Sequence, residues 1–185
     1  MPSIHDLPHR SDDPTLVDVI PLDPDDTASI DLVATRMRLT LVEVLGEERA
    51  TEMFDHAGLV DRVWWHLDRS DPRRRAEVFL ARMHTDVVGH TMVRADVVDG
   101  EELGLFATTY VVPAARRAGV ASALLRAGEA WMRERQLPVA ATFTDVHNER
   151  LLAFYASLGY DCSAIDGEWA TARRSLDRDR PTPHR

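Results

Sequence analysis

The sequence predicts one α/β (α+β) domain built on a mixed, mostly antiparallel, twisted sheet of about seven strands flanked by about four helices. Three observations carry that expectation. Apolar residues fall at helical spacing in some stretches and in short alternating or β-branched runs in others, in the order β-α-α-β-β-β-α-β-α-β-β. Two strand-like runs, 77–83 and 87–98, are separated only by His84, Thr85 and Asp86, a hairpin connection. A further run ends at Val111, Val112 and Pro113, passes through a turn of small residues into an amphipathic helix, and is followed by a strand after Pro138. That is a β-α-β unit, so the sheet has a hairpin-rich half and a parallel half.

The elements follow in order. Residues 16–20 alternate well enough for a first strand. Thr27 is placed to cap the first helix, with Asp25 and Asp26 near its positive end. Ile30, Val33, Ala34, Met37, Leu41 and Val44 form its apolar face, and Gly46 stops it. A second helical region spans 47 to about 67, with Gly58 as its breaking point. Ser70, Asp71 and Pro72 signal a turn before the hairpin. Residues 99–102 turn the chain into a strand over 103–112. Val120, Leu124, Ala127 and Trp131 mark the buried stripe of a helix over 119–135. After the strand 139–145, Asn148 caps a helix that runs to 158, with Glu149 in its first turn and Gly159 ending it. Two last strands, 160–165 and 168–176, flank a turn at Asp166 and Gly167.

No linker or internal repeat divides 15–176, so these residues form one domain. Residues 1–14 are polar and proline-punctuated, and 177–185 alternate charges around two prolines; both are expected to be disordered. The net charge of -9 and pI near 5.3 argue against nucleic-acid binding, whose footprint is basic. An acidic surface would instead draw cationic small molecules or basic peptides. Cys162 is the only cysteine, so no intrachain disulfide forms, and a small buried residue is the simpler reading of it than a nucleophile. With no apolar leader and no stretch near the ~20 apolar residues that span a bilayer, the expectation is a cytoplasmic protein without membrane contact.

The chemistry concentrates in two segments. Around Ala118, Gly119 and Ala121, small residues open a helix whose first N–H groups lack intrahelical partners, which makes an anion site. The alternative is an ordinary strand-to-helix turn kept small for close packing. Further on, Asn148 and Tyr155 lie about 700° of helical rotation apart and so share a face. Taken together, the segments suit a pyrophosphate-bearing cofactor with a hydroxyl acid beside it.

Val111, Pro113, Arg116, Gly119 and Ala121 resemble the Q/R-x-x-G-x-G/A signature of the GNAT superfamily of acetyl-CoA-dependent N-acyltransferases. The stretch from Asn148 through Tyr155 to Gly159 and Tyr160 is similar to that family's later motif. The resemblance implies that acetyl-CoA is the cosubstrate and an amine the acceptor, with no metal. Pyrophosphate would be held by backbone N–H groups of Arg116, Arg117, Ala118, Gly119, Val120 and Ala121. Pantetheine would lie as an added strand along Tyr110, Val111 and Val112, an N–H near Val111 would stabilise the oxyanion, and Asn148 would bond the pantetheine amide. Tyr155 would be the general acid for the leaving thiolate; its competing reading is a core aromatic. Homodimers are common in the family.

Some relatives carry a catalytic Glu on the strand before the phosphate turn, and 103–112 holds no carboxylate. Glu101, Glu102, Asp145 and His147 are the nearby candidates, each also readable as a solvated turn residue. His84 and His90 lack a third ligand for a metal. Arg73, Arg74 and Arg75 read as a solvated loop or a contact to a cofactor phosphate, and Trp64 and Trp65 as core or as acceptor-pocket wall. Three functions stay open: acetyl transfer to an amine, transfer of a longer acyl group or to a protein N-terminus, and a silent module that binds CoA or a partner.

Overall fold

The computed structural model describes residues 17–71, 73 and 75–177. The segment 1–14 and all of the tail but Asp177 lie outside the described residues, so nothing is said of their order. In chain order the elements are β1 (Val17–Pro21), α1 (Thr27–Leu45), α2 (Glu47–Met53), α3 (His56–Leu67), β2 (Ala76–Met83), β3 (Asp86–Val98) and β4 (Glu101–Val111). A 3₁₀ turn at Pro113–Ala115 leads to α4 (Val120–Glu134), β5 (Val139–Asp145), α5 (Glu149–Ser157), β6 (Asp161–Ala164) and β7 (Trp169–Ser175).

Local chemistry explains where the helices begin and where the expectation was off. The cap of α1 is Asp26, whose carboxylate accepts from the Ser29 N–H at 3.0 Å; Thr27 is already helical. Val44 turns outward instead of joining the buried face. The second helical region is two helices, and the break falls at Phe54 and Asp55, not at Gly58. Both residues are extended, and Asp55 accepts from the Gly58 N–H at 2.7 Å, which starts α3 afresh. Asn148 caps α5 as expected, accepting from the Leu151 N–H.

The seven strands form one sheet in the order β1-β2-β3-β4-β5-β7-β6. All neighbours are antiparallel except β4 and β5. Helices α1 and α3 pack Ile30, Val33, Leu59 and Val63 onto Val78, Leu80 and Met92 on one face. On the other face α4 and α5 bury Leu125, Met132 and Tyr155 against Val93, Phe106 and Ala140. Full burial of each large aliphatic chain is worth about 1.5–3 kcal/mol, so these two layers supply most of the stabilisation. Gly128 lets α4 lie directly on β4: a Cβ there would sit 2.3 Å from a ring carbon of Phe106. Glu129 ties the same face together, accepting from the Tyr160 hydroxyl at 2.7 Å and pairing with Arg133 and Arg174.

Candidate active site

The two parallel strands part. From Glu101 to Val111, β4 is paired with β3, but it meets β5 only at Gly104–Ala140 and Leu105–Ala141. The cause sits in the next residues. Phe106 and Thr108 oppose the adjacent Val93 and Met92, which leaves Ala107 as an extra, bulged residue that bends β4 away. Beyond that point β5 is held by β7 alone, and a gap opens between β4 and β5.

Alternation decides which backbone groups line the gap. The Val112 N–H donates to the Val88 carbonyl at 2.9 Å, so Val112 and Tyr110 spend their amides on β3. Those of Val111 and Thr109 point the other way, into the gap. Of the three backbone partners expected there, then, only Val111 faces the gap, and its carbonyl already accepts from Arg116 Nε at 3.1 Å. Thr109, which the sequence reading missed, takes the second position. Only the bulge and the register reveal it.

At the mouth of the gap the chain makes the turn that leads into α4. Arg117 has φ 70° and Gly119 φ 80°, and Gly119 is the left-handed residue that precedes α4. For Arg117 such a backbone costs about 1 kcal/mol or more, which Gly119 escapes for lack of a Cβ. The N–H groups of Arg117 through Ser122 donate to no backbone carbonyl among the described residues, and no side chain caps the helix. Arg117, Ala118 and Gly119 are exposed, Ala121 is half-buried, and the Val120 side chain packs with Ala115 and Leu124 beneath the turn. The Arg116 N–H bonds the Pro113 carbonyl, and its guanidinium pairs with Glu43 of α1 at 3.1 Å. Arg116 therefore braces the turn, while the free N–H groups fit an oxyanion-rich ligand.

Tyr155 projects from α5 to the base of the gap. It is 2% exposed and packs against Phe106, Phe154 and Tyr160. Its phenol faces Thr109 of β4 and Thr142 of β5, one from each parted strand. Burial pushes its pKa well above the usual phenol value, so it keeps its proton. Thr142 itself donates to the Phe106 carbonyl at 3.0 Å and closes the bottom of the gap. Asn148 shares the helix, but its carbonyl caps α5 and its amide donates to Thr144 Oγ1 at 3.0 Å.

The candidate bases separate by position. Glu101 and Glu102 belong to β4, not to a turn, and pair with Arg173 and Arg75 at its closed end. Asp145 and His147 lie at the open end of β5, where the Asp145 carboxylate accepts the His147 N–H at 2.8 Å. On the opposite face His90 is fully buried, stacked on Tyr110 with 6.0 Å between centroids, and neither ring nitrogen has a partner. Burial, with Arg36 beside it, pushes its pKa down to about 3. Arg73 and Arg75 sit at the closed end of β4, far from the turn before α4, and Arg74 lies outside the described residues. Trp64 and Trp65 are exposed and not core. Cys162 is exposed on β6, an outer strand without buried residues, which corrects its expected burial.

A sheet parted between its parallel strands, with an uncapped helix tip at the mouth and a protonated phenol at the base, defines an α/β fold of the acyltransferase type. The chain belongs to the acetyltransferase (GNAT) family, whose model matches residues 39–160. No curated protein matches it in sequence. Among solved structures it is similar to an acetyltransferase from Thermus thermophilus, with 15% identity, TM-score 0.65, and 86% of this chain and 96% of that one covered. It is likewise similar to the PaiA N-acetyltransferase from Thermoplasma acidophilum in complex with coenzyme A, with 14% identity, TM-score 0.65, and coverage of 86% and 99%. YncA from Salmonella typhimurium, solved with its cofactor acetyl-CoA, matches with 17% identity, TM-score 0.63, and coverage of 91% and 98%. At these identities the likeness is one of fold. No helix among the described residues is long and apolar enough to cross a membrane.

Proposed function

We propose that the protein is an N-acetyltransferase that moves an acetyl group from acetyl-CoA to a primary amine by direct attack on the thioester. The run of unpaired N–H groups at 117–122, set at the mouth of the gap, carries this reading. Those groups would hold the pyrophosphate, and the backbones of Thr109 and Val111 would run beside the pantetheine arm as a partner strand does. A free N–H on this edge of β4 stabilises the oxyanion as nitrogen bonds to the acyl carbon.

The Tyr155 hydroxyl then donates to the departing sulfur as the carbon–sulfur bond breaks. The attacking nitrogen gives up one proton to water and the free thiol gains one, so the step balances. An alkylamine is neutral only about once in two or three thousand molecules at pH 7, so a route for that proton matters. Water at the open end of the gap, next to Asp145 and His147, supplies it.

A second reading, a module that binds CoA without turnover, is favoured by the lack of any carboxylate on β4 beyond Glu102. One assay separates the two: acetyl-CoA with a panel of amines, following free thiol. Amine-dependent thiol release supports the enzyme, and saturable CoA binding with no release on any amine supports the silent module. Absence of CoA binding overturns both.

A further inference from the structure

The face opposite α4 and α5 carries a basin of about 760 Å³ lined by Arg62, Trp65 and His66 of α3, by Arg73 and Arg75, and by Arg94 of β3. Asp71 and Asp96 also line it. Four arginines at one spot run against the net charge of -9 of the chain as a whole. They are not equally engaged. Arg94 is held by Asp96 at 2.8 and 3.0 Å, and Arg75 by Glu102. Asp71 accepts the backbone N–H of Arg73. Arg62 is half-buried with its guanidinium 5.7 Å over the Phe54 ring, and neither Arg62 nor Arg73 has a carboxylate partner among the described residues. A guanidinium that stacks on an aromatic face keeps its edge donors free for a planar oxyanion.

His66 also lines the basin, but as an acceptor, not as a donor to an oxyanion. It is 2% exposed, its Nδ1 donates to the Arg62 carbonyl at 2.8 Å, and Nε2 therefore carries a lone pair that has no partner. Burial, with Arg94 and Arg62 nearby, keeps the ring neutral and pushes its pKa down to about 4.

The basin stands in register with the gap. Arg94 lies opposite Leu105, the last β4 residue paired with β5, and the two side chains share a face. Four residues on, Thr109 flanks the Tyr155 phenol, roughly 10–13 Å away at strand spacing. Helices α4 and α5 cover the phenol side of the sheet, and the basin lies on the other face beside α3.

We propose that this basin binds an oxyanion group, carboxylate or phosphate, through Arg62 with help from Arg73. Resting on the acetyltransferase reading, that group is the far end of the acceptor: an amine about 10 Å from an acidic terminus. The free chain supplies the first test. Succinate and inorganic phosphate are titrated at ionic strength held constant with sodium chloride, following the NMR signals of the Arg62 side chain and the Arg94 to Asp96 amides. Saturable shifts that vanish in Arg62→Gln are expected, and shifts no larger than those from chloride overturn the proposal. Succinate against phosphate tells which oxyanion fits.

Kinetics supply the second test, with 8-aminooctanoate against its carboxamide as acceptors. The acid should be preferred by about tenfold or more in kcat/KM, mostly through KM. Arg62→Gln should reduce that preference to within about twofold, and Arg62→Lys should keep part of it. Equal use of acid and amide by the wild type overturns the acceptor assignment. Saturable anion binding with no thiol release from these or any other amine of the panel sinks the acetyltransferase reading and leaves the anion site standing.

Discussion

The two edges of β4 are built from the same strand and do opposite things. Toward β3 its pairing runs the full length, and the ladder passes over a buried layer that holds His90 and Arg36. Toward β5 it makes two pairs and then leaves its amides free. The sealed edge hides polar atoms with no partners, both nitrogens of His90 and Nη1 of Arg36, although Nη2 of Arg36 donates to the Val87 carbonyl. The open edge presents polar backbone to the gap. A single extra residue, Ala107, is thus enough to turn a continuous sheet into a slot for another chain. The contrast also separates cost from use: the sealed edge governs stability, and on the proposed function the open edge governs chemistry.

The strongest test of that division is Tyr155→Phe. If the phenol serves the open edge, kcat should fall by about 10²–10⁴, which is about 3–5 kcal/mol of barrier, with kcat measured at saturating acetyl-CoA. Stability in urea should change by no more than about 1 kcal/mol. A fall in stability with turnover intact would place Tyr155 in the core alone.

Two buried histidines, His90 in the sealed ladder and His66 on α3, predict an acid sensitivity. His90 and His66 have folded pKa values of about 3 and about 4, below the ordinary 6.5. The unfolded chain therefore binds protons first as pH falls. Stability should be fully present above about 6.5 and be lost downward toward 4 and 3, at up to about 1.4 kcal/mol per pH unit for each histidine. Urea unfolding between pH 7 and 4.5 reads the slope, and His90→Gln should flatten it. An unchanged slope in that variant would show that His90 is not the source.

Smaller effects refine the division between the two edges. Asn148→Ala removes the cap of α5 and should cost about 1 kcal/mol in urea unfolding. If its capping role is the whole of its contribution, KM for acetyl-CoA should move less than about twofold. Glu43→Gln frees Arg116 from α1. The pair is partly exposed, so the stability change should stay within about 1 kcal/mol. Because Arg116 braces the turn and the Val111 carbonyl, KM for acetyl-CoA should rise severalfold, measured by initial rates.

Much of the molecule was legible from residues that act on their near neighbours. Gly119 and Gly159 marked helix ends because each takes a left-handed backbone, and Asn148 announced α5 by its cap. Where the reading slipped, a rival of the same type stood next door. Asp26 outbid Thr27 for the first cap, and Asp55 used the N–H of Gly58, so the glycine that looked like a break became part of a helix start. Cys162 was misplaced because residue type says little about which strand ends up at the rim of a sheet.

The order of elements, the family motif and a string of free N–H groups, expected at 116–121 and found at 117–122, were written in the chain, since each depends on spacing between near neighbours. Folding had to add the rest: that Thr109 and not Tyr110 offers its backbone to the gap, that Arg62, Arg73 and Arg94 converge on one basin, and that the Tyr155 phenol meets both parted strands. Those facts depend on register and on a bulge. Register is settled jointly by two strands and the layers packed on them, and no single segment carries it.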